Sequence, residues 1–369
     1  MKIGIPKEIK NLEGRVALTP SGAHRLVDAG HEVRVQQGAG LGSGFADQDY
    51  WEAGARIVGV AEAWASDLVV KVKEPEHSEY PLLQQQMLFT FLHLAGVPHG
   101  LTDTLLERKT TAIAYETLED EAGRLPLLAP MSAIAGNMAA LMGAYYLARS
   151  NGGRGVQLGE VLGERHGKAV IIGDGIVGSH AARSVRGLGA AVCVAGLDPA
   201  KGELMKKEIA ADLVYFQSSK EAIAGHIKEA DLVIGAVLLR GAKATYVVTE
   251  DMVKTMQAGS VIVDVSIDQG GCVETSRPTS HSDPVYLKHG VVHYCVTNMP
   301  GAYPRTSTLA LTSATLPYVQ LLADKGLDAF RENAGLAKGL NAFKGFLTCR
   351  PAAEGLGLLE SYRDFRGLI

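Results

Sequence analysis

Residues 168–198 read KAVIIGDGIVGSHAARSVRGLGAAVCVAGLD, and this stretch decides the fold. The apolar run AVII is typical of a buried strand, and it leads directly into Gly173, Gly175 and Gly178, spaced as G-x-G-x-x-G. The following SHAARSVRGLG predicts a helix, and AAVCVAG predicts a second strand. The glycine spacing alone is a weak signal, but the complete order of strand, loop, helix and strand predicts a dinucleotide-binding unit.

Each glycine of this loop has a mechanical role in holding a dinucleotide. Gly173 permits the tight turn, Gly175 lets the backbone approach a pyrophosphate, and Gly178 lets the helix pack against its strand. The start of the helix offers N–H groups and a partial positive charge to the phosphates. We therefore expect the cofactor to contact Gly173, Gly175, Ile176, Val177 and Gly178.

The sequence leaves the choice between NAD and NADP open at one position. An acidic residue that binds the ribose 2′-hydroxyl is expected at the end of the second strand, and Gly196 occupies that place. Asp198 could bind the ribose from the loop, or it could be a turn-forming residue before Pro199; Lys201 is also nearby. We expect NAD, with Asp198 and Lys201 as candidate cofactor contacts.

The composition argues against several classes of function. The chain has 369 residues and a net charge of −4, and its basic residues are scattered, so neither nucleic acid nor a membrane surface is an expected partner. No run of about 18 apolar residues predicts a membrane span, and MKIGIPKEIK lacks the apolar core of a signal peptide. The four cysteines lack metal-binding spacing, so we expect no metal site, buried thiols and a reducing, cytoplasmic compartment.

The rest of the chain alternates short apolar runs with helical segments. Residues 19–30, TPSGAHRLVDAG, predict a helix that is capped by Thr19, with Pro20 at its first position and Gly30 just past its end. Strands separated by helices imply parallel sheets with crossover connections. The glycine-rich residues 151–167 predict a loop, and helices are expected to end the chain.

This pattern predicts an α/β protein of two doubly wound domains, which suits the length at roughly 100–200 residues per domain. A long helix rich in Ala and Met begins near residue 128, and a second α/β unit runs from Lys168 to about residue 300. We therefore expect a Rossmann-type dinucleotide-binding domain, residues 129–302, inserted between residues 1–128 and a C-terminal return, residues 303–369.

Segments spread over nearly the whole chain resemble one known family. They are GIPKEIKNLEGRVALTP, KVKEP, LFTFLHLA, IAYET, LLAPMS, GGRGV, ADLVIGAVL, GSVIVDVSIDQGGCVETSRPT and HYCVTNMPGAYPRTST. In this order they are similar to the alanine dehydrogenase family. The resemblance implies that residues 1–128 and 303–369 form a substrate domain, separated by a cleft from the NAD-binding domain, usually within a homohexamer. It also implies reversible, NAD-dependent oxidative deamination of L-alanine to pyruvate and ammonium, by hydride transfer from Cα followed by imine hydrolysis.

Two cations are implied to hold the substrate carboxylate. Arg15 offers a planar, always-charged fork that suits a carboxylate, although an arginine in this setting is by itself more often a surface charge. Lys73 ends the apolar strand LVVKV, where active sites of parallel sheets lie. Lys71 shares its face by period-2 alternation, and we expect it to be only a neighbour. The resemblance assigns substrate binding to Arg15 and Lys73, and polarisation of the substrate to Lys73.

Residues 86–96, QMLFTFLHLAG, place a single histidine, His93, in an apolar run. Such a histidine is by itself more often a satisfied core residue. The resemblance implies instead that His93 is the catalytic acid and base, a role that suits histidine because it exchanges protons near neutral pH. Glu116, in IAYET, is implied to lie by the site and to orient His93 or Lys73; the alternative is an exposed glutamate at a strand end.

The remaining site residues are also implied by the resemblance. Asp268 follows the strand SVIVDV and is expected to take part in catalysis near the nicotinamide ribose, whereas Asp264 is expected to be structural. Met131 and Asn298 complete the substrate side. The other implied cofactor contacts are Ser132, Ser218, Leu238, Leu239, Val265, Ser266, Ile267, Val296, Thr297, Asn298 and Met299. Turn capping by Ser218 and core packing of the leucines are the alternatives.

Three positions depart from the family pattern. Arg240 stands where proline is expected, and Ala133 and Asn137 replace an expected glutamate and arginine.

Three rival functions share the glycine loop. The soluble domain of a nicotinamide nucleotide transhydrogenase needs no amino-acid site, and an enzyme of the saccharopine type needs a larger pocket. A non-catalytic NAD sensor has no need of the implied catalytic and substrate-binding set. The presence of that set favours amino-acid oxidation over the transhydrogenase domain and the sensor.

Overall fold

The computed structural model describes residues 1–237 and 246–368. These residues form two compact units, one made of residues 1–131 with the chain from residue 301 onward, and the other made of residues 132–300. Three positions singled out in the sequence, Leu238, Leu239 and Arg240, lie outside the described residues.

The first part of the first unit alternates strands and helices. Its strands are β1 (Lys2–Ile5), β2 (Glu32–Gln36), β3 (Arg56–Val58), β4 (Leu68–Val70), β5 (Met87–Thr90) and β6 (Thr111–Ala114). Its helices are α1 (Pro20–Asp28), α2 (Asp47–Glu52), α3 (Val60–Trp64) and α4 (His99–Glu107).

Helix α5 (Ala129–Leu147) leads into the second unit. The strands of that unit are β7 (Gly159–Val161), β8 (Glu164–His166), β9 (Lys168–Ile172), β10 (Ala191–Gly196), β11 (Val214–Gln217), β12 (Leu232–Gly235), β13 (Val261–Asp264), β14 (Val285–Lys288) and β15 (Val291–Tyr294). Its other helices are α6 (Ile176–Leu188), α7 (Pro199–Glu208), α8 (Lys220–Ile227) and α9 (Glu250–Lys254).

The chain then returns to the first unit. This return contains α10 (Pro304–Lys325), α11 (Ala329–Glu332), α12 (Ala334–Lys338), β16 (Leu340–Phe343), β17 (Phe346–Leu347) and α13 (Arg350–Leu356).

Each unit is built on one large sheet. The sheet of the first unit has the order β17-β16-β6-β5-β4-β1-β2-β3, and β1 to β6 run parallel while β16 and β17 are antiparallel additions. The sheet of the second unit has the order β11-β10-β9-β12-β13-β15-β14, with only β14 antiparallel to its neighbour among the described strands. The α/β class with parallel sheets, predicted from the alternation of strands and helices, is confirmed.

Two local predictions of the sequence are wrong in the same way. Residues 151–167 were expected to form a loop but contain the hairpin β7–β8, and the return was expected to be helical but contains the hairpin β16–β17. Each hairpin turns through two residues of positive φ, Leu162 with Gly163 and Lys344 with Gly345. Such turns favour Asn or Asp before the glycine, and neither pair carries that signal.

The predicted start of the first helix is confirmed. The Thr19 hydroxyl accepts a hydrogen bond from the Gly22 N–H at 3.1 Å, Pro20 is the first helical residue, and Gly30 follows the end with a φ of +86°. Three of the cysteines, Cys193, Cys272 and Cys295, are buried as expected, whereas Cys349 is partly exposed. No helix in the described part of the chain is long and apolar enough to cross a membrane.

One titratable side chain, His293, lies fully buried in β15 of the second unit. Its Nε2 is 2.8 Å from the Thr275 hydroxyl, its Nδ1 is 3.0 Å from the Val291 carbonyl, and its ring stacks on Tyr286. A neutral imidazole satisfies both contacts, since Nδ1–H donates to the carbonyl and Nε2 accepts from the hydroxyl. Burial lowers the pKa of His293 from 6.5 to about 4.

This lowered pKa predicts a pH dependence of stability. Between pH 6.5 and about 4 the unfolded chain binds a proton at this residue and the folded chain does not. As the pH decreases through that window, the contribution of His293 to the free energy of unfolding should therefore decrease, by at most about 1.4 kcal/mol per pH unit. Urea unfolding should show a shallower decline for His293→Gln than for the wild type. The exposed His24→Gln is the control and should keep the wild-type slope; equal slopes for all three proteins would contradict the assignment.

Candidate functional site

The predicted substrate residues follow four neighbouring parallel strands of the first unit. Arg15 lies in the loop after β1, Lys73 follows β4, His93 follows β5 and Glu116 follows β6. These strands are adjacent in the order β6-β5-β4-β1. Because the carboxyl ends of parallel strands meet at one edge of a sheet, segments that are distant in sequence bring their side chains to the same edge.

Arg15 is almost fully buried and is held by Glu13. Its Nε donates to Glu13 Oε1 at 2.7 Å, and its Nη2 donates to Glu13 Oε2 at 2.5 Å, which is a bidentate pairing. Its Nη1 lies 3.2 Å from the sulfur of Met131. The structure therefore brings together two residues that were predicted to bind substrate, Arg15 and Met131, and fixes the orientation of the guanidinium.

Lys73 belongs to a small cluster of charged side chains. Its Nζ lies 3.8 Å from Glu74 Oε2, and Lys10 pairs with the other oxygen of the same carboxylate. Burial alone would raise the pKa of Glu74, but Lys73 and Lys10 outweigh it and the pKa is lowered. One carboxylate thus serves two cations, and the Lys10–Lys73–Glu74 cluster keeps a formal positive charge.

Lys71 is structural, as expected from the sequence. Its side chain is fully buried, and its Nζ lies 3.1 Å from Glu8 Oε2 and 3.0 Å from Glu79 Oε1. Burial alone would lower the pKa of Lys71, but the two carboxylates raise it, so the ammonium keeps its charge. The strand ends at Val70, so period-2 alternation does not extend to Lys71 and Lys73, whose side chains have different partners.

His93 is not a core residue, because 41% of its side chain is exposed. Its backbone is in the left-handed region, with φ +47° and ψ +40°, which is costly for a residue with a Cβ. The Glu116 carboxylate accepts the N–H of His93 at 2.6 Å and that of Leu92 at 3.2 Å, and it lies 3.9 Å from His93 Nδ1. The imidazole stacks on Phe91. Glu116 therefore holds the unusual backbone that presents His93.

The glycine loop of the second unit has the predicted geometry. Gly173 has a φ of +116°, and a Cβ there would strike the Ala236 carbonyl. A Cβ on Gly178 would strike the Gly173 carbonyl, so the absence of a side chain lets α6 pack close to its strand. A Cβ on Gly175 would meet no described heavy atom within 4 Å. Among the described atoms, the backbone at Gly175, just before Ile176 and Val177 at the start of α6, is therefore unobstructed, as the approach of a phosphate requires.

The strand end that was expected to carry the ribose-binding acid is crowded. A Cβ on Gly196 would collide with the Tyr215 hydroxyl and with the Asp174 carboxylate. Asp198 caps α7 by accepting the Ala200 N–H at 2.9 Å, which matches the turn-forming alternative. Lys201 Nζ lies 3.6 Å from Asp174 Oδ1. Asp174 is not among the residues predicted from the sequence, although its place within G-x-G is a usable signal.

Asp268 and Asn298, both predicted site residues, lie together in the second unit. The Asn298 N–H donates to Asp268 Oδ1 at 3.2 Å, and Asn298 has a positive φ of +57°. Asp264 is instead fully buried, where burial raises its pKa and its carboxylate accepts the N–H groups of Ser266, Cys272 and Val273. These contacts support the structural role expected for Asp264.

The other predicted cofactor contacts lie mostly at ends of parallel strands. Ser218 follows β11, where its N–H donates to the Gly196 carbonyl, and the hydroxyl that caps α8 is that of Ser219. Ser266 bonds both backbone groups of Val237. The remaining described members are Ser132 in α5, Val265 and Ile267 in the turn after β13, and Val296, Thr297 and Met299 after β15.

Of the described positions that depart from the family pattern, Asn137 and Ala133, the structure shows a contact that explains the first. Asn137 Oδ1 accepts a hydrogen bond from the Ser184 hydroxyl at 2.9 Å, which links α5 to α6. Nothing in the structure explains Ala133.

The strand order of the second sheet, together with the glycine loop at the end of β9, defines a dinucleotide-binding α/β protein. The chain matches the model of the alanine dehydrogenase/PNT N-terminal domain over residues 4–135 and that of the C-terminal domain over residues 139–350. It therefore belongs to the alanine dehydrogenase/PNT family.

Individual proteins agree with this assignment. The chain is 53% identical to an alanine dehydrogenase of Staphylococcus epidermidis over 358 residues, which cover 96% of each chain. A solved L-alanine dehydrogenase superposes with a TM-score of 0.93 at 49% identity and covers 97% of this chain and 99% of its own. A transhydrogenase from Sinorhizobium meliloti shares the fold, with a TM-score of 0.80 at 24% identity, over 95% of this chain and 99% of its own.

The contacts of Glu116 predict the effect of removing its carboxylate. In Glu116→Ala the N–H groups of Leu92 and His93 lose their acceptor, and the left-handed backbone of His93 loses its support. We expect amide hydrogen exchange at these two residues to accelerate by about tenfold or more, since a hydrogen bond to a charged acceptor contributes about 1.5–3 kcal/mol. The exposed Glu121→Ala is the control. Unchanged exchange at both amides in Glu116→Ala would show that the carboxylate does not hold this turn.

Proposed function

We propose that this protein catalyses the reversible, NAD-dependent oxidative deamination of L-alanine to pyruvate and ammonium. The observation that carries the proposal is the placement of Arg15, Lys73 and His93 after neighbouring parallel strands, in a chain that is about half identical to alanine dehydrogenases over nearly its full length. One edge of the sheet thus carries a guanidinium, an ammonium and an imidazole. The two cations suit the carboxylate of an amino acid, and the imidazole suits the transfer of its protons.

Residues 132–300 are proposed to bind NAD, and the other unit to bind the amino acid, with domain limits that the sequence predicts near residues 128 and 303. The pyrophosphate would lie against Gly175 and the start of α6, where the absent Cβ leaves room. When bound, NAD supplies the acceptor for the hydride that leaves alanine Cα. Asp268 and Asn298 are proposed to position the nicotinamide end, because their mutual hydrogen bond fixes that loop.

The substrate carboxylate is proposed to bind Arg15 and Lys73. Glu13 holds the guanidinium of Arg15 in one orientation, so little side-chain freedom is lost when an anion binds. The Lys10–Lys73–Glu74 cluster contains two cations and one carboxylate, so it attracts a further negative charge. The cluster around Lys71 has the opposite balance, with two carboxylates and one cation, and does not suit an anion.

His93 is proposed to move protons during hydrolysis of the imine. Its side chain is exposed, its ring position is set by the stack on Phe91, and Glu116 holds its backbone. A water that attacks the imine carbon must lose a proton, and the departing amine must gain one. An accessible imidazole can do both in turn.

We further propose that the protein is a homo-oligomer, most simply the hexamer implied by its family resemblance, and that it works in the cytoplasm. Helix α5 exposes Leu141 and Tyr145 on one face, and we propose that this face takes part in the contact between subunits. The four cysteines form no disulfide, which suits a reducing compartment.

The reaction is tested by mixing the purified protein with NAD and L-alanine and following the absorbance of the reduced nicotinamide. We expect reduction with L-alanine, much slower reduction with L-serine, and none with L-lysine or without an amino acid. Pyruvate with ammonium should drive NADH oxidation in the reverse direction. Amino-acid-independent reduction, or a preference for lysine, would contradict the proposal.

The role of His93 is tested by His93→Ala and His93→Gln. We expect turnover with L-alanine to fall by about 10²-fold or more, because general acid–base catalysis contributes about 10²–10⁴-fold. Binding of NADH, measured by its fluorescence, should change little because His93 lies outside the glycine loop. The exposed His99→Gln is the matched control. Near-normal turnover of His93→Ala would remove this residue from the proposed proton transfer.

A further inference from the structure

The end of β10 raises a question that the family resemblance does not answer. Dinucleotide-binding sheets commonly carry an acid there to bind the adenosine ribose, and this chain has Gly196. The space that a side chain at residue 196 would fill is already taken by the Tyr215 hydroxyl and by Asp174 Oδ2. The glycine is therefore required by its neighbours, and a carboxylate from the glycine loop occupies the position instead.

Asp174 is held in that position from two sides. The Tyr215 hydroxyl donates to Asp174 Oδ2 at 2.8 Å and lies equally close to the Asp198 carbonyl. Burial and the bond to Asp174 raise the pKa of Tyr215, so this hydroxyl stays a donor. Lys201 Nζ lies 3.6 Å from Oδ1 of the same carboxylate. Only 14% of the Asp174 side chain is exposed, so the carboxylate is fixed and still reachable.

We propose that Asp174 binds the adenosine ribose hydroxyls of NAD and makes the site selective for NAD over NADP. This inference rests on the proposed binding of NAD by the glycine loop. A carboxylate can accept about four hydrogen bonds, so one bond from Tyr215 leaves acceptor positions for the ribose. A negative charge at this place also repels the 2′-phosphate of NADP, which gives selection by repulsion as well as by attraction.

Lys201 shows why the Asp174 carboxylate decides the selectivity. A lysine beside a ribose site is a natural partner for a 2′-phosphate. Here Asp174 pairs with the ammonium and offsets its charge. Removal of the Asp174 charge should therefore have two effects. It should weaken the binding of NAD, and it should leave the Lys201 ammonium free to attract the 2′-phosphate of NADP.

The test compares Asp174→Asn with the wild type in the binding of NADH and NADPH, measured by fluorescence titration without any amino acid. We expect Asp174→Asn to weaken NADH binding by up to about tenfold, because a hydrogen bond to a charged acceptor is replaced by one to a neutral amide oxygen, and to strengthen NADPH binding. Adding Lys201→Ala to Asp174→Asn should abolish the gain in NADPH binding. Glu203→Gln, which removes an exposed acid from α7, is the charge control and should keep the wild-type ratio.

A second ligand separates ribose recognition from mere support of the loop. The reduced dinucleotide that lacks the adenosine 2′-hydroxyl should bind the wild type about tenfold more weakly than NADH. Asp174→Asn should reduce this difference, because its amide oxygen accepts only a neutral hydrogen bond. If the substitution only distorted the loop, the affinities for both ligands would fall by the same factor and their ratio would not change. That result would overturn the proposal. If Asp198→Asn lost the difference in affinity between the two ligands and Asp174→Asn kept it, Asp198 would be the residue that binds the ribose.

The titrations can contradict the role of Asp174 independently of the proposed activity. If the wild type binds NADH but does not oxidise L-alanine, the activity is wrong while the assignment of Asp174 is still decided by the NADH and NADPH ratios. If the wild type oxidises L-alanine and the ratios of Asp174→Asn match those of the wild type, the activity stands and the assignment of Asp174 is wrong.

Discussion

The parallel pairing of neighbouring strands is the constraint on which both candidate sites depend. In a parallel sheet every strand ends at the same edge, so side chains from loops far apart in sequence come together without long excursions of the chain. In the first unit this places Lys73, His93 and Glu116 after β4, β5 and β6. In the second unit it places the glycine loop, Gly196 and Ser218 after β9, β10 and β11. The strands bring these loops to one edge, and contacts within the loops, such as those of Glu116, then fix the side chains.

Buried charge is the second constraint, and it distinguishes the surroundings of Lys71 from those of Lys73. A buried cation needs a carboxylate partner, and the balance between the two decides what else can bind. Lys71 is shared by Glu8 and Glu79, so its charge is fully compensated and the cluster stabilises the fold without attracting an anion. Around Lys73 the balance is reversed, since Glu74 also serves Lys10. Two lysines separated by one residue thus differ in net charge environment because their charged neighbours differ.

The sequence predicts the fold well, because hydrophobic periodicity and the G-x-G-x-x-G spacing report directly on strands and on a backbone that must lack side chains. It fails where the deciding contact is between distant residues. The local pattern alone could not distinguish His93 from a core histidine, since its exposure depends on β5 ending at Thr90 and on Glu116 holding the next turn. The hairpins β7–β8 and β16–β17 were missed because Leu-Gly and Lys-Gly are weak turn signals.

Gly196 and Asp174 together place one carboxylate where dinucleotide-binding sheets commonly carry an acid. Two carboxylates at one point would repel each other, and one of them would have to bind a proton, so the site tolerates a single acid. A side chain at residue 196 would also displace the Tyr215 hydroxyl that holds Asp174. Glycine at the strand end, aspartate in the loop and tyrosine on β11 therefore depend on one another. The absence of an acid at residue 196 is thus explained by its neighbours, and it does not by itself decide between NAD and NADP.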